Sequence, residues 1–188
     1  MPQGAGQAGV VRRHGALMDA DALAGVAAQR GALYWLLAEF LLTHPDRSFV
    51  SRLRRELSTG RDDPSSEAFA AHLLAVCEAL PEPDDAAGIE ALAVEHTRLL
   101  GGISSTYGPP PPYESVQRGA GVAAPAELAV AVANCYADAG LDPVDEAVPA
   151  DHLGIELKFV ALLCHREMEA WQRGRHGDAA RALELQRD

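Results

Sequence analysis

Apolar residues recur at three-and-four spacing over most of the chain, the period of an amphipathic helix. Between Asp19 and Thr43 a stripe of Leu23, Val26, Ala27, Leu33, Tyr34, Leu37, Phe40 and Leu41 predicts a long first helix, stopped by His44-Pro45-Asp46. Phe49, Val50, Leu53 and Leu57 predict a short second one. Ser65 or Ser66 followed by Glu67 can cap a third, with Phe69, Leu73, Val76 and Leu80 inward, and Pro81 and Pro83 end it. A fourth follows from about Asp85 to Leu100. Helix returns at Pro125, a favoured first position, and closes at Ala139-Gly140. Pro143 to Ala147 reads as a connector. The longest amphipathic run, about Asp151 to Arg173, turns Leu153, Leu157, Val160, Ala161, Cys164 and Met168 inward, and a final piece spans Ala179 to Arg187. No solenoid repeat is present. The expected fold is all-α: a single-domain bundle of six to seven helices over residues 19–188, preceded by a disordered leader over 1–18.

The period fails from Gly101 to Ala124, where the chain reads GGISSTYGPPPPYESVQRG and continues without apolar spacing. Irregular segments of this length are uncommon inside compact domains and are usually functional or disordered. Pro109 to Pro112 impose extended polyproline geometry, so the segment is stiff. Tyr107, Pro112, Tyr113, Glu114 and Ser115 therefore form either a pre-shaped recognition surface or a strap with its tyrosines packed against the helices.

Composition narrows the function classes. The net charge is −11, and the 16 basic residues include a single lysine, Lys158. A nucleic-acid partner needs a clustered basic surface and is not expected. No run of 18 uncharged apolar residues exists, so no membrane insertion is expected. Arg12-Arg13 is followed by His14-Gly15-Ala16 rather than by an apolar stretch, so it does not read as an export signal, and the expected location is the cytoplasm. Cys77, Cys135 and Cys164 form no CxxC pair and sit in apolar helical stretches, which predicts buried structural thiols.

Catalytic motifs are scarce. The lysine follows Leu157 rather than a glycine-rich loop, and neither GxSxG nor HExxH occurs. His152 with Glu156 and His165 with Glu169 stand four apart on a helix, a spacing that serves surface pairing more readily than a metal centre, which would need carboxylates from two further helices. Asp151 has the position of a helix N-cap. No cofactor or metal is expected. The alternative to a binding protein is a helical-bundle enzyme with weak nucleotide or metal-dependent activity.

Three segments taken together are more specific. Glu95–Gly102 (EHTRLLGG), Tyr107–Gly119 (YGPPPPYESVQRG) and Pro149–Trp171 (PADHLGIELKFVALLCHREMEAW) resemble, in order and spacing, the signature blocks of the TorD/DmsD/NarJ family of molybdoenzyme assembly chaperones. The tetraproline before YES and the DHLGIELKF block look most similar to the branch serving type II enzymes of the dimethyl sulfoxide reductase family. The resemblance implies an all-helical fold, no catalysis, and a partner that is the apo catalytic subunit of a molybdopterin oxidoreductase. Such a chaperone binds its partner at the twin-arginine leader, the folded body or both, and holds it until the cofactor is inserted and export follows. It also implies that Asp151 and His152, at the PDH-type motif, belong to the peptide-binding region. Tyr107, Pro112, Tyr113, Glu114, Ser115 and Glu156 are expected beside them, with carboxylates facing the guanidinium pair and an apolar groove facing the rest of the leader. Family members usually continue past this point with further helices. A partly apolar final helix is therefore expected to be mobile after Gly174 or to support a homodimer by helix exchange.

Overall fold

The computed structural model describes residues 19–59, 67–101, 108–118, 125–141 and 148–187. Eight helices occur among them: α1 (Ala20–Leu42), α2 (Arg47–Thr59), α3 (Glu67–Ala79), α4 (Ala86–Leu100), α5 (Glu114–Gln117), α6 (Pro125–Asp138), α7 (Leu153–Gln172) and α8 (His176–Leu185). The fold is all-α, as the periodicity requires. The helix beyond the expected seven is α5, a single turn inside the segment read as irregular. Among the described residues the only extended pairing is an isolated antiparallel bridge between Tyr113 and His152. The expected leader, the Ser65/Ser66 cap, Tyr107 and the Pro143–Ala147 connector lie outside the described residues.

Helix ends follow local chemistry. The Asp19 carboxylate accepts the Ala22 N–H at 2.7 Å and starts α1; Asp85 does the same for Gly88 at 2.9 Å and starts α4. Such caps satisfy N–H groups that have no partner within the helix. Arg54 of α2 donates to the carbonyls of Cys77 (3.2 Å) and Leu80 (2.8 Å), closing the exposed end of α3. After α6 the chain turns through Gly140 at φ 68°, a left-handed conformation that favours glycine.

The scaffold is the antiparallel pair α1–α7, the most extensive helix contact among the described residues. Glu39 meets Lys158 at 3.2 Å near one end and Arg30 pairs with Glu167 towards the other. The pair is close because the facing residues are small. A side chain on Gly31 would stand 3.2 Å from the Cys164 Cβ, and one on Gly154 would stand 2.6 Å from Leu42. This revises the expected inner stripe of α1. Ala24, Ala27 and Ala38 are its buried residues, while Val26, Trp35 and Leu37 are more than 40% exposed. α1 is apolar around its whole circumference, so spacing did not single out the small-residue face as the one that touches α7.

A second core forms where α2 meets α3: Phe49, Leu53, Leu57, Cys77 and Leu80, with Leu36, Phe40 and Leu92 packed against it. The four apolar positions predicted for α2 are all buried. α4 buries no residue fully. Of the three cysteines, Cys77 and Cys164 are buried and Cys135 is exposed. The expectation of three buried thiols fails at Cys135 because Tyr136 is the inward residue of that turn of α6. Leu153, expected inside, is also exposed. α8 folds back on α7 with Ala179 and Ala182 buried. Its Gln186 donates to the buried Glu167 carboxylate at 2.9 Å.

Candidate functional site

The polyproline segment is stitched to the start of α7. Pro112 offers its carbonyl to the Leu153 N–H at 2.8 Å, and the Glu114 N–H donates to the Asp151 carbonyl at 2.9 Å. The Ser115 N–H donates to Asp151 Oδ2 at 3.1 Å. Together with the Tyr113–His152 bridge, these contacts place Pro112, Tyr113, Glu114 and Ser115 directly beside Asp151 and His152. The strap is anchored at its other end as well. A side chain on Gly108 would stand 2.1 Å from the backbone oxygen of Arg98, so the strap starts against the last turn of α4 at a distance only glycine allows.

The capping role that the sequence suggests for Asp151 falls to His152. His152 is the N-cap of α7, accepting the Gly154 N–H on Nδ1 at 3.0 Å. Asp151 serves the other element instead, satisfying a first-turn N–H of α5. Both are buried, at 1% and 6% exposure, so neither stands on an open rim. The Tyr113 ring meets the His152 ring edge-on at 5.0 Å. Burial pulls the His152 imidazole below its ordinary 6.5, against the opposing influence of Asp151.

Glu156 sits in the first turn of α7. Its Oε1 is buried and has no hydrogen-bond partner, which replaces the expected surface pairing with His152. Burial first, then the charges of Glu114 and Asp151, push its carboxyl up to about 7, and Arg118 pulls weakly the other way. Glu156 thus feels two other carboxylates and one guanidinium, Arg118, which is itself ion-paired with Glu114. His165 and Glu169, by contrast, do form an exposed i,i+4 pair at 3.5 Å.

Two residues that sequence reasoning passed over belong to this junction. Tyr136 donates its hydroxyl to the Ala150 carbonyl at 2.9 Å and lays its ring on Phe159 at 4.5 Å. Burial, and next the charge of Glu156, raise its phenol far above the usual value. Its only sequence signal is that it is the single aromatic in α6. Arg118 was visible as an i,i+4 partner of Glu114.

Exposed apolar side chains border the strap: Val116 on α5, Leu153 at the start of α7 and Leu99 next to Arg98. A separate shallow apolar groove runs along α1 and α7, lined by Gly31, Trp35, Ala161, Leu162 and Met168. His165, which also lines it, is nine residues beyond Glu156. At 100° per residue that places groove and acidic junction on opposite flanks of α7. Among the described residues no group of three or more His, Cys, Asp or Glu is placed to hold a metal ion. No described helix is long and apolar enough to cross a membrane.

The sequence pattern of the nitrate reductase delta subunit family matches residues 62–188, a span containing the strap, Asp151, His152 and Glu156. A crystal structure assigned as a redox enzyme maturation protein from Archaeoglobus fulgidus superimposes with a TM-score of 0.48 at 22% identity, covering 84% of this chain and 91% of that one. No curated protein sequence matches.

Proposed function

This chain belongs to the nitrate reductase delta subunit family, the NarJ/TorD-type chaperones of molybdoenzymes, and from that membership we propose how it recognises its partner. In this reading the chain captures the apo catalytic subunit of a molybdopterin oxidoreductase. It holds that subunit in the cytoplasm until the molybdenum cofactor is in place, and releases it for export without performing catalysis itself. The observation that carries the reading is the stitched strap. A stiff proline segment, fixed by three hydrogen bonds to Asp151 and Leu153, presents Tyr113 and Glu114 at a surface bordered by exposed Val116 and Leu153.

A twin-arginine leader offers two guanidinium groups followed by an apolar stretch. Glu114 is the accessible carboxylate of the junction, with a quarter of its side chain exposed, and guanidinium is the cation best shaped to pair with it. Arg118 already shows that geometry from within the chain. Asp151 and His152 support the site from below by fixing the strap, and Tyr113 with Val116 and Leu153 meets the apolar stretch. Pre-forming the strap lowers the ordering cost of binding.

The test is capture. Co-expressed with a candidate catalytic subunit, the protein should retain the cofactor-free form and lose the cofactor-loaded one. A synthetic leader with its arginine pair should bind, and Glu114→Gln should weaken that binding several-fold without lowering the unfolding temperature. Equal retention of loaded and empty enzyme, or a leader that binds equally well with both arginines replaced by alanine, refutes the reading.

A further inference from the structure

The joint between strap and α7 contains two titratable side chains that need opposite protonation states. His152 caps α7 by accepting an N–H on Nδ1, and a nitrogen that accepts carries no proton, so the cap exists only for the neutral ring. The same ring supports Tyr113. One turn further, Glu156 has a buried oxygen with nothing to donate to it. An ionised carboxylate is costly there, because a buried charge without a partner loses its hydration and gains nothing in return.

The surroundings add to the conflict. Glu114 faces Glu156 from α5 and Asp151 from the segment before α7, and both oppose its charge. The cation acting on it is Arg118, already committed to Glu114. From α6 comes Tyr136, whose hydroxyl is engaged with Ala150. From α1 comes Leu42, which is uncharged and lies against Gly154. Among the described residues no element contributes a free positive charge to the groups that act on Glu156. When it ionises, the remaining relief is to move the strap, which carries Glu114, away from α7.

We propose that this joint is a latch governed by two opposed titrations: ionisation of Glu156 loosens the strap, and deprotonation of His152 fastens it. The signs follow from linkage. Glu156 in the docked state titrates at about 7, above its ordinary 4.5, so its contribution is full below 4.5 and is lost as the pH rises through about 7. His152 titrates below its ordinary 6.5, so its contribution is full above 6.5 and is lost as the pH falls through the depressed value. Between the depressed His152 value and 6.5 the two trends oppose each other. Above 6.5 Glu156 acts alone and the strap loosens near neutral pH. The latch needs no partner and stands apart from the chaperone reading.

Amide exchange of the whole protein between pH 4.5 and 8, corrected for intrinsic rates, tests it. Protection at Glu114 and Ser115 is read against Ala161 inside α7. In the unmodified protein, protection at the strap should fall about threefold from pH 6.5 upward, the ratio for half a pH unit of Glu156 titration. Glu156→Gln should abolish that fall and leave protection rising with pH up to 6.5. His152→Asn, which keeps a capping acceptor without titrating, should leave protection falling steadily from pH 4.5 through about 7. Opposite slopes in the two variants establish the latch. Parallel profiles in all three proteins, or a fall above pH 6.5 that survives Glu156→Gln, overturn it.

Discussion

Asp151 accepts the backbone N–H of Ser115 at 3.1 Å, across 36 positions of chain, and is almost wholly buried in doing so. The carboxylate thereby closes a helical turn that belongs to the strap, while the helix that follows it is closed by its neighbour His152. The joint is consequently sensitive to the shape of residue 151 as well as its charge.

Asp151→Ala should orphan the Ser115 N–H, a loss of about 1–3 kcal/mol, partly offset because one carboxylate no longer repels Glu156. A net fall of a few degrees in unfolding temperature is expected at pH 6. Asp151→Asn keeps an acceptor oxygen and removes the charge, so it should unfold within about 1 kcal/mol of the parent. Leader binding should follow the same order, lost with Ala and retained with Asn. Loss of binding in both variants, at unchanged stability, would show that the charge of Asp151 contacts the partner directly.

Two glycines set the position of the strap and of α7. Gly108→Ala drives a methyl group to 2.1 Å from the Arg98 carbonyl oxygen, and Gly154→Ala drives one to 2.6 Å from Leu42. Each should cost about 1–3 kcal/mol. Gly108→Ala should act on the strap, lowering exchange protection at Glu114 and Ser115 while that of α7 stays unchanged. Gly154→Ala should lower the protection of α1 and α7 together.

Glu167 ties the last helix to the scaffold. Its carboxylate, 3% exposed, is shared by Arg30, by Trp171 at 3.2 Å and by Gln186 at 2.9 Å. Glu167→Ala should destabilise by about 2–3 kcal/mol, below the range for a fully buried pair because Arg30 can turn towards water. With that tie cut, α8 is free to leave its own chain. Light scattering should then report more dimer than for the parent, if helix exchange is the route to association. An unchanged mass distribution with unchanged stability argues against both roles.

Binding of an arginine-bearing leader should weaken as salt rises. The proposed contact is with a partly exposed carboxylate, Glu114, and such pairs are screened over about 10 Å at 0.1 M ionic strength. Titration calorimetry at low and at moderate salt measures it. Affinity that does not change with salt places the main contact on the apolar residues around the strap.

Thiol accessibility separates the three cysteines. Cys135 is exposed, whereas Cys77 and Cys164 are buried, and burial raises the Cys164 thiol above its ordinary value. A soluble maleimide should label one thiol quickly in the folded protein and all three after denaturation. Fast labelling of two or more in the native state contradicts the packing described.

The amino-acid sequence alone determined the helical class and, within a residue or two, where most of the helices begin and end. Those features depend on neighbours in the chain: a 3.6-residue apolar period, the carboxylates of Asp19 and Asp85 capping the next turn, prolines that stop it. The sequence also marked the segment after Gly101 as exceptional, and the motif likeness singled out Asp151 and His152, because the proline run and the motif spacing are local as well. Which face of α1 is buried was not local. Its apolar residues surround the helix, and only the approach of α7 selected Ala24, Ala27 and Gly31 over Val26 and Leu37. That His152 rather than Asp151 caps α7 was equally beyond reach. An N-cap rule considers the helix that follows, whereas the carboxylate bonds to a turn 36 positions earlier. The charge state of Glu156 was decided the same way. In sequence it is one acid four residues after a histidine. In the folded molecule it is half-buried, with one oxygen fully enclosed, under the influence of two other carboxylates, and the cost of removing charge from water depends on where the rest of the chain has been placed.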